Sequence, residues 1–249
     1  MKASPAGTPV PAKTAQAAAN AGAQAAANAG AQTAAQAEAQ AVMLANRLRK
    51  RFRHLKKWAA RTGTDVFRLY DRDIPEIPLV LDWYGGSLAG ALYKRPYEKD
   101  DAEERRWLAL MKAAAAEALG IDGGRIFIKF RERQRGAAQY RRMAGGGGTD
   151  AGHGAGGGGA DNGVNSGGGS MDAGAIREAA EGGLRFRVNL SDYLDTGLFP
   201  DRRRLRALIL EEAAGKRVLN LFCYTASFSV YAASGGAAEI DSVDMSNTY

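Results

Sequence analysis

The chain has 249 residues, and its 34 lysines and arginines outnumber 27 acids, so that the formal net charge is +7. Residues 43–143 carry 23 of the basic side chains against 13 acids, whereas residues 144–249 carry 9 against 13. This asymmetry favours a polyanionic partner for the first segment. A single cysteine excludes an internal disulfide, and two histidines in unlike contexts argue against a zinc site. No apolar run is long enough to indicate a membrane span.

Residues 1–42 consist mainly of alanine, glutamine, asparagine and glycine. The unit AQAAANAG begins at Ala15 and is repeated from Ala23. It contains no large apolar side chain and therefore has no face to bury. We expect a disordered Ala/Gln-rich linker that is helical only transiently, and a linker at this position predicts another unit before it.

Ordered structure is expected from Met43. An apolar stripe at helical spacing, surrounded by basic side chains, predicts an amphipathic helix that ends near Gly63. The stripe comprises Leu44, Leu48, Phe52, Leu55 and Trp58. The candidate RNA-binding side chains around it are Arg47, Arg49, Lys50, Arg51, Arg53, Lys56 and Lys57. Two explanations remain open: an anionic partner relieves their mutual repulsion, or the long side chains simply reach water.

Short strands follow this helix. Alternating or continuous apolar patterns predict strands at 66–70, 79–82, 87–93, 126–130 and 184–190, with a hairpin turn before Ser87 and a helix from Asp100 to Leu119. Residues 43–190 are therefore interpreted as one basic α+β module. Residues 144–183 interrupt it with glycine runs that no strand precedes and no helix follows, so we predict a flexible insert and not a phosphate loop.

A strand–loop–helix–strand pattern closes the chain. Val218–Phe222 is an apolar strand, the following segment has helical spacing up to Gly235, and a second strand ends at Asp244. Asn220 and Asp244 are 24 positions apart. In doubly wound nucleotide-binding folds, the first loop accepts the polar part of the ligand and an acid about 20 residues later accepts ribose hydroxyls. Taken alone, this pattern is shared by many α/β domains.

Five motifs indicate which of these α/β domains the chain resembles. NLFCYTASF from Asn220 resembles the first motif of class I S-adenosylmethionine-dependent methyltransferases that act on large-subunit rRNA, and VDMSNTY from Val243 resembles their second. SDYLDTGLFPDRR from Ser191, RERQRG from Arg131 and ANRLRK from Ala45 extend the match. Together they resemble the guanine-N7 (K) half of the bifunctional K/L methyltransferases of bacterial 23S rRNA.

The resemblance implies an α/β fold, in which a small α+β N-terminal module (43–190) precedes the start of a Rossmann-like class I methyltransferase domain (191–249). It implies S-adenosylmethionine as cofactor, no metal, 23S rRNA as partner, and a cytoplasmic protein with a further methyltransferase half encoded upstream. The implied cofactor-binding residues are Asn220, Phe222, Tyr224, Ala226, Asp244, Met245, Asp201 and Arg203. Arg131 and Arg133 join the implied RNA-binding residues.

Two positions depart from the family pattern. Ala226 stands where the family has glycine, and Pro200 stands where it has leucine. If φ at Ala226 is negative, the alanine costs little. If φ is positive, strain of about 1 kcal/mol or more is expected.

The implied reaction is the methylation of guanine N7. This nitrogen carries a lone pair, so positioning can replace a general base, and we assign no catalytic residue. Because the motifs expected downstream are missing, we expect a truncated and inactive copy. The alternatives are a non-catalytic basic RNA-binding fragment and a related rRNA cytosine-C5 methyltransferase. The cytosine enzyme needs a nucleophile, and Cys223 is not placed to provide it. A nicotinamide-dependent enzyme is disfavoured because Phe222–Tyr224 lacks a Gly-x-Gly turn.

Overall fold

The computed structural model describes residues 12–93, 100–131 and 175–245, with side chains described from residue 30 onwards. It is an α/β protein, as predicted. Its helices are α1 (Ala12–Arg61), α2 (Asp101–Leu119), α3 (Arg203–Glu212) and α4 (Ser227–Ser234). Its strands are β1 (Val66–Asp71), β2 (Leu79–Tyr84), β3 (Ser87–Tyr93), β4 (Ile126–Arg131), β5 (Ile176–Glu181), β6 (Leu184–Asn189), β7 (Arg217–Leu221) and β8 (Glu239–Val243). None of the helices in these ranges combines the length and apolar character that a membrane crossing requires.

The first sheet has the strand order β1-β2-β3-β4. β1, β2 and β3 are antiparallel neighbours, and the predicted hairpin turn lies at Gly85 and Gly86, whose φ angles of 48° and 94° suit glycine. β4 runs parallel to β3, and α2 forms the crossover between them. α2 ends as predicted at Gly120, which is left-handed.

The two faces of this sheet bury different side chains. α1 and α2 cover one face, where the predicted stripe of α1 packs against leucines of β1 and β2 such as Leu69 and Leu81. The β5–β6 hairpin covers the other face, where Ala179 and Val188 pack with Val66 and Tyr84. The period-two alternation of the strands thus gives each face its own core.

α1 corrects the prediction of a linker up to residue 42, because it begins at Ala12 and runs without interruption to Arg61. Its earlier turns also contact the core. Ala37 and Ala41 pack against the first cluster, and Gln40 Oε1 accepts a hydrogen bond from Trp107 Nε1 at 2.6 Å. Alanine has the highest helix propensity, and once the packed turns are formed, extension adds one hydrogen bond per residue. Residues 1–11 lie outside the described ranges.

The predicted insert also needs correction. β5 lies within residues 144–183 and pairs with β6 from Ile176 to Glu181. The turn between them is Gly182-Gly183, with φ angles of 61° and 81°, as a tight hairpin of this kind requires. The sequence does not predict β5, because its residues, IREAAE, include only one large apolar side chain. Residues 144–174 are outside the described ranges.

The second sheet consists of β7 and β8, which are parallel and connected through α4. Asn220 of β7 is paired in register with Ser242 of β8. The predicted strand–loop–helix–strand order is confirmed. β7 ends at Leu221 and α4 begins at Ser227, which leaves residues 222–226 as the connecting loop.

Candidate functional site

The 222–226 loop has an unusual backbone. Phe222, Tyr224 and Ala226 have φ angles of 56°, 51° and 57°, in the left-handed region that side-chain-bearing residues rarely adopt. The positive φ at Ala226 meets the condition under which strain was expected, so its methyl group costs about 1 kcal/mol. Three alternate residues of this loop therefore adopt a left-handed backbone conformation that usually requires glycine.

The carboxylate of Asp244 faces this loop from the end of β8. Its Oδ2 accepts a hydrogen bond from the backbone N–H of Tyr224 at 2.8 Å. The residues that precede these two are also paired. The backbone N–H of Cys223 donates to the carbonyl oxygen of Val243 at 3.1 Å. The end of β8 thus holds the loop, and the Asp244 carboxylate lies beside its backbone turn.

The other predicted residues of the loop region differ in their contacts. Phe222 and Met245 leave 78% and 87% of their surfaces exposed, so both provide apolar surface to solvent. Asn220 instead points at α4, where its Nδ2 donates to Ser229 Oγ at 2.8 Å. Ser229 Oγ lies 2.7 Å from Ser242 Oγ, so Asn220 braces the two strands against the helix.

The predicted pair before α3 makes contacts elsewhere. Asp201 is exposed in a 3₁₀ turn and lies 3.6 Å from the guanidinium of Arg202. The guanidinium of Arg203 stacks 4.3 Å from the ring centre of Trp58, and so contacts α1. In this region it is Phe199 that reaches the loop, with its ring centre 5.6 Å from that of Tyr224.

Sequence reasoning missed a buried charge cluster between β5, α3 and α4. Arg206 and Glu181 are 1% and 0% exposed, and two hydrogen bonds of 2.7 and 3.0 Å join them. Tyr231 donates to Glu181 at 3.0 Å, and Arg206 also donates to the carbonyl oxygen of Phe199 at 2.8 Å. Burial, followed by the neighbouring carboxylate, raises the pKa of Tyr231 above its usual value. The cluster connects β5 to α3 and α4 across the predicted boundary at residue 190.

The basic side chains of α1 fall into two groups. Arg47 Nε lies 2.7 Å from Asp73, Arg49 Nη2 lies 2.8 Å from Glu117, and Arg51 Nε donates to the carbonyl oxygen of Leu69 at 2.8 Å. These three help to hold the module together. The second group, exposed along the solvent side of the same helix, comprises Lys50, Arg53, Lys56 and Lys57.

Arg131, the last residue of β4, lies 2.5 Å from Asp195, so the predicted RNA contact is engaged within the chain. Arg133 is outside the described residues. Within the described ranges, no three histidine, cysteine, aspartate or glutamate side chains are grouped so that they could hold a metal ion.

Comparison with known proteins bears on the same segments. Residues 168–249 match the family described as S-adenosylmethionine-dependent methyltransferase. The ribosomal RNA large subunit methyltransferase K/L of Ectopseudomonas mendocina is 44% identical over 207 residues, which are 83% of this chain and 25% of that protein. The protein of the same name from Pseudomonas entomophila is 43% identical over 209 residues, or 84% and 25%. The chain thus spans about a quarter of the length of the curated relatives it matches.

Two solved structures share the fold. A protein from Streptococcus mutans described as an S-adenosylmethionine-dependent methyltransferase is 24% identical, with a TM-score of 0.57 over 83% of this chain and 46% of that one. A methyltransferase in complex with S-adenosylhomocysteine is also 24% identical, with a TM-score of 0.54 over 83% and 45%. The comparisons confirm the resemblance drawn from the motifs, and the solved structures confirm the α/β fold.

Proposed function

We propose that the chain carries part of a cytoplasmic S-adenosylmethionine-dependent methyltransferase that methylates guanine N7 in 23S rRNA. The observation that supports this most is the 222–226 loop, with three left-handed residues and the Asp244 carboxylate against Tyr224 N, within a segment that matches the methyltransferase family. The rRNA substrate is supported by the names of the relatives and by the exposed basic group of α1. The N7 position rests on the motif resemblance.

The described residues fit the cofactor. Asp244 would accept the two ribose hydroxyls, and the exposed apolar side chains of Phe222 and Met245 would flank the base. When bound, S-adenosylmethionine supplies a methyl group already activated by the sulfonium charge. The protein then has to hold the guanine in line with that group and exclude water.

Isothermal titration calorimetry with S-adenosylmethionine tests the site. We expect the Asp244→Asn variant to bind about 10- to 100-fold more weakly, because a hydrogen bond to a charged group contributes about 1.5–3 kcal/mol. Asp241→Asn is the matched control, since Asp241 is an exposed acid on β8, and its affinity should equal that of the unchanged chain. An unchanged chain that binds no S-adenosylmethionine, or variants that weaken equally, would contradict the proposed site.

The position of methylation has its own test. The chain is incubated with labelled S-adenosylmethionine and 23S rRNA, and the RNA is then reduced with borohydride and treated with aniline. If the chain transfers label to N7 of a guanine, strand cleavage at that residue is expected, because reduction of the methylated ring weakens its bond to the ribose and aniline cleaves the strand where the base is lost. Label without cleavage would indicate another position, such as cytosine C5. RNA binding without label would favour the non-catalytic alternative.

Charge reversal tests the RNA-binding face. We expect a Lys50→Glu, Arg53→Glu, Lys57→Glu variant to bind rRNA more weakly, and the slope of log affinity against log salt to become shallower by about 2 to 3. The same number of reversals at Arg105, Arg106 and Lys112 of α2 provides the control. If both variants change the slope alike, the exposed face of α1 is not the contact surface.

A further inference from the structure

Two basic residues of β4 point toward the segment between β6 and α3. Lys129 and Arg131 are two positions apart and therefore share one face of the sheet, the face covered by the β5–β6 hairpin. Lys129 is buried, and its Nζ donates to the carbonyl oxygen of Tyr193. The guanidinium of Arg131 lies 2.5 Å from the carboxylate of Asp195. β4 therefore contacts the segment at two residues, Tyr193 and Asp195.

The same segment is held at other points. Residues 191–199 contain no regular helix or strand. The Tyr84 hydroxyl donates to the carbonyl oxygen of Leu198 at 2.7 Å and lies 2.8 Å from Thr196 Oγ1. Asn189 Oδ1 accepts the backbone N–H of Asp192 at 2.9 Å. A segment without its own regular hydrogen-bond ladder is thereby fixed to β2, β4 and β6.

The far end of the segment contacts the 222–226 loop. Thr225 Oγ1 donates to the carbonyl oxygen of Gly197 at 2.5 Å. The Phe199 and Tyr224 rings pack with their centres 5.6 Å apart. Tyr224 is also the residue whose N–H meets Asp244. A displacement of the 191–199 segment would therefore reach the loop at two adjacent residues.

We propose that Lys129 and Arg131 are positioning residues, which fix the 191–199 segment so that it holds the 222–226 loop in the shape that binds the methyl donor. The proposal rests on the proposed function of that loop. It assigns to the basic module a role beyond RNA contact, because a strand of that module sets the geometry of the cofactor site. It also accounts for a buried lysine that the proposed reaction does not use.

Lys129 makes this arrangement sensitive to pH. Burial lowers its pKa to about 8, the Asp195 and Asp192 carboxylates act in the opposite direction, and the Arg131 guanidinium lowers it further. Below pH 8 the ammonium group attracts both carboxylates of the segment. Above pH 8 it loses its proton. The attraction is lost, but so is the larger cost of keeping a charge buried, so the held segment becomes more stable as pH rises.

The contribution of Lys129 to the stability of the whole fold has the same sign. Its pKa in the folded chain lies below the ordinary value of 10.5, so between about pH 8 and 10.5 the unfolded chain binds more protons at this group. Its contribution therefore makes folding more favourable as pH rises through that window. Lys129→Met lacks this titrating group, so it should lose the pH dependence of both the stability and the donor affinity that Lys129 causes.

Hydrogen–deuterium exchange of the free chain tests, without any ligand, whether Lys129 fixes the 191–199 segment and through it the 222–226 loop. In Lys129→Met we expect exchange in 191–199 and in 222–226 to become about tenfold faster, while β1 to β3 remain unchanged. Asp195→Asn is a milder second variant, which should affect the same two segments less. Lys216→Met removes an exposed lysine and serves as the control. Faster exchange in 191–199 alone, or no change in either segment, would overturn the proposal.

The pH dependence of S-adenosylmethionine affinity is the second readout. The unchanged chain should gain affinity between pH 7 and 9, because loss of the buried charge favours the held segment, whereas Lys129→Met should bind weakly at both values with a flat profile. Identical profiles for the two chains would refute the positioning role. If the unchanged chain binds no S-adenosylmethionine, the proposed function fails, while the exchange measurement still decides whether β4 controls the loop.

Discussion

The two sheets of this chain are held in different ways. The β1–β4 sheet is covered on both faces, and leucines such as Leu81 are fully buried. In the described residues the β7–β8 sheet leaves apolar side chains exposed, with Leu219 of β7 at 61%. Polar contacts position it instead, through Glu181, the Asn220–Ser229–Ser242 hydrogen bonds and Asp244. Apolar burial therefore builds the first region, and directed polar contacts place the second region against it.

The largest effect is expected from breaking the polar connection. Arg206→Met leaves the buried Glu181 carboxylate without its charged partner, so we expect the free energy of unfolding to fall by about 3–5 kcal/mol. Urea denaturation followed by circular dichroism measures it. The control is Arg204→Met, an exposed arginine of the same helix, for which a change within about 0.5 kcal/mol is expected. Similar values for the two variants would show that the buried pair does not join the regions.

The second prediction compares the same substitution in the two sheets. Leu81→Ala should lower the free energy of unfolding by about 2–5 kcal/mol, because it removes a fully buried side chain and leaves a cavity. Leu219→Ala should cost less than about 1 kcal/mol, because most of that side chain already contacts solvent. The denaturation midpoints of the two variants measure these losses. Equal losses would mean that the Leu219 side chain is buried in solution.

The smallest effect concerns the backbone of the 222–226 loop. Ala226→Gly removes the strain of a left-handed alanine, about 1 kcal/mol, and after the entropy cost of glycine we expect up to about 0.5 kcal/mol of added stability. Ala233→Gly, within the helical turns of α4, should instead destabilise by about 1 kcal/mol. Thermal unfolding of both variants provides the comparison. A loss of stability in both would mean that Ala226 does not retain its positive φ in solution.

Several elements could be predicted because their signals are local. The α1 stripe, the Gly85–Gly86 hairpin and the Gly120 helix end each depend on residues close together in the chain. The start of α1 and the β5 strand were predicted wrongly for a related reason. Both need a distant partner, Trp107 for the helix and β6 for the strand, before weak local preferences become stable structure.

The sequence by itself determined the strands β1 to β4, the strand–loop–helix–strand order that contains the 222–226 loop, and the acid that follows β8, since hydrophobic periodicity and motif spacing specify them. Only the tertiary structure decided that Glu181, Arg206 and Lys129 are buried, that Arg47 and Arg131 contact acids of the same chain, and that Ala226 is left-handed. The reason is physical. A charged side chain is stable inside a protein only beside partners brought from far along the chain, and no local pattern records which partners those are.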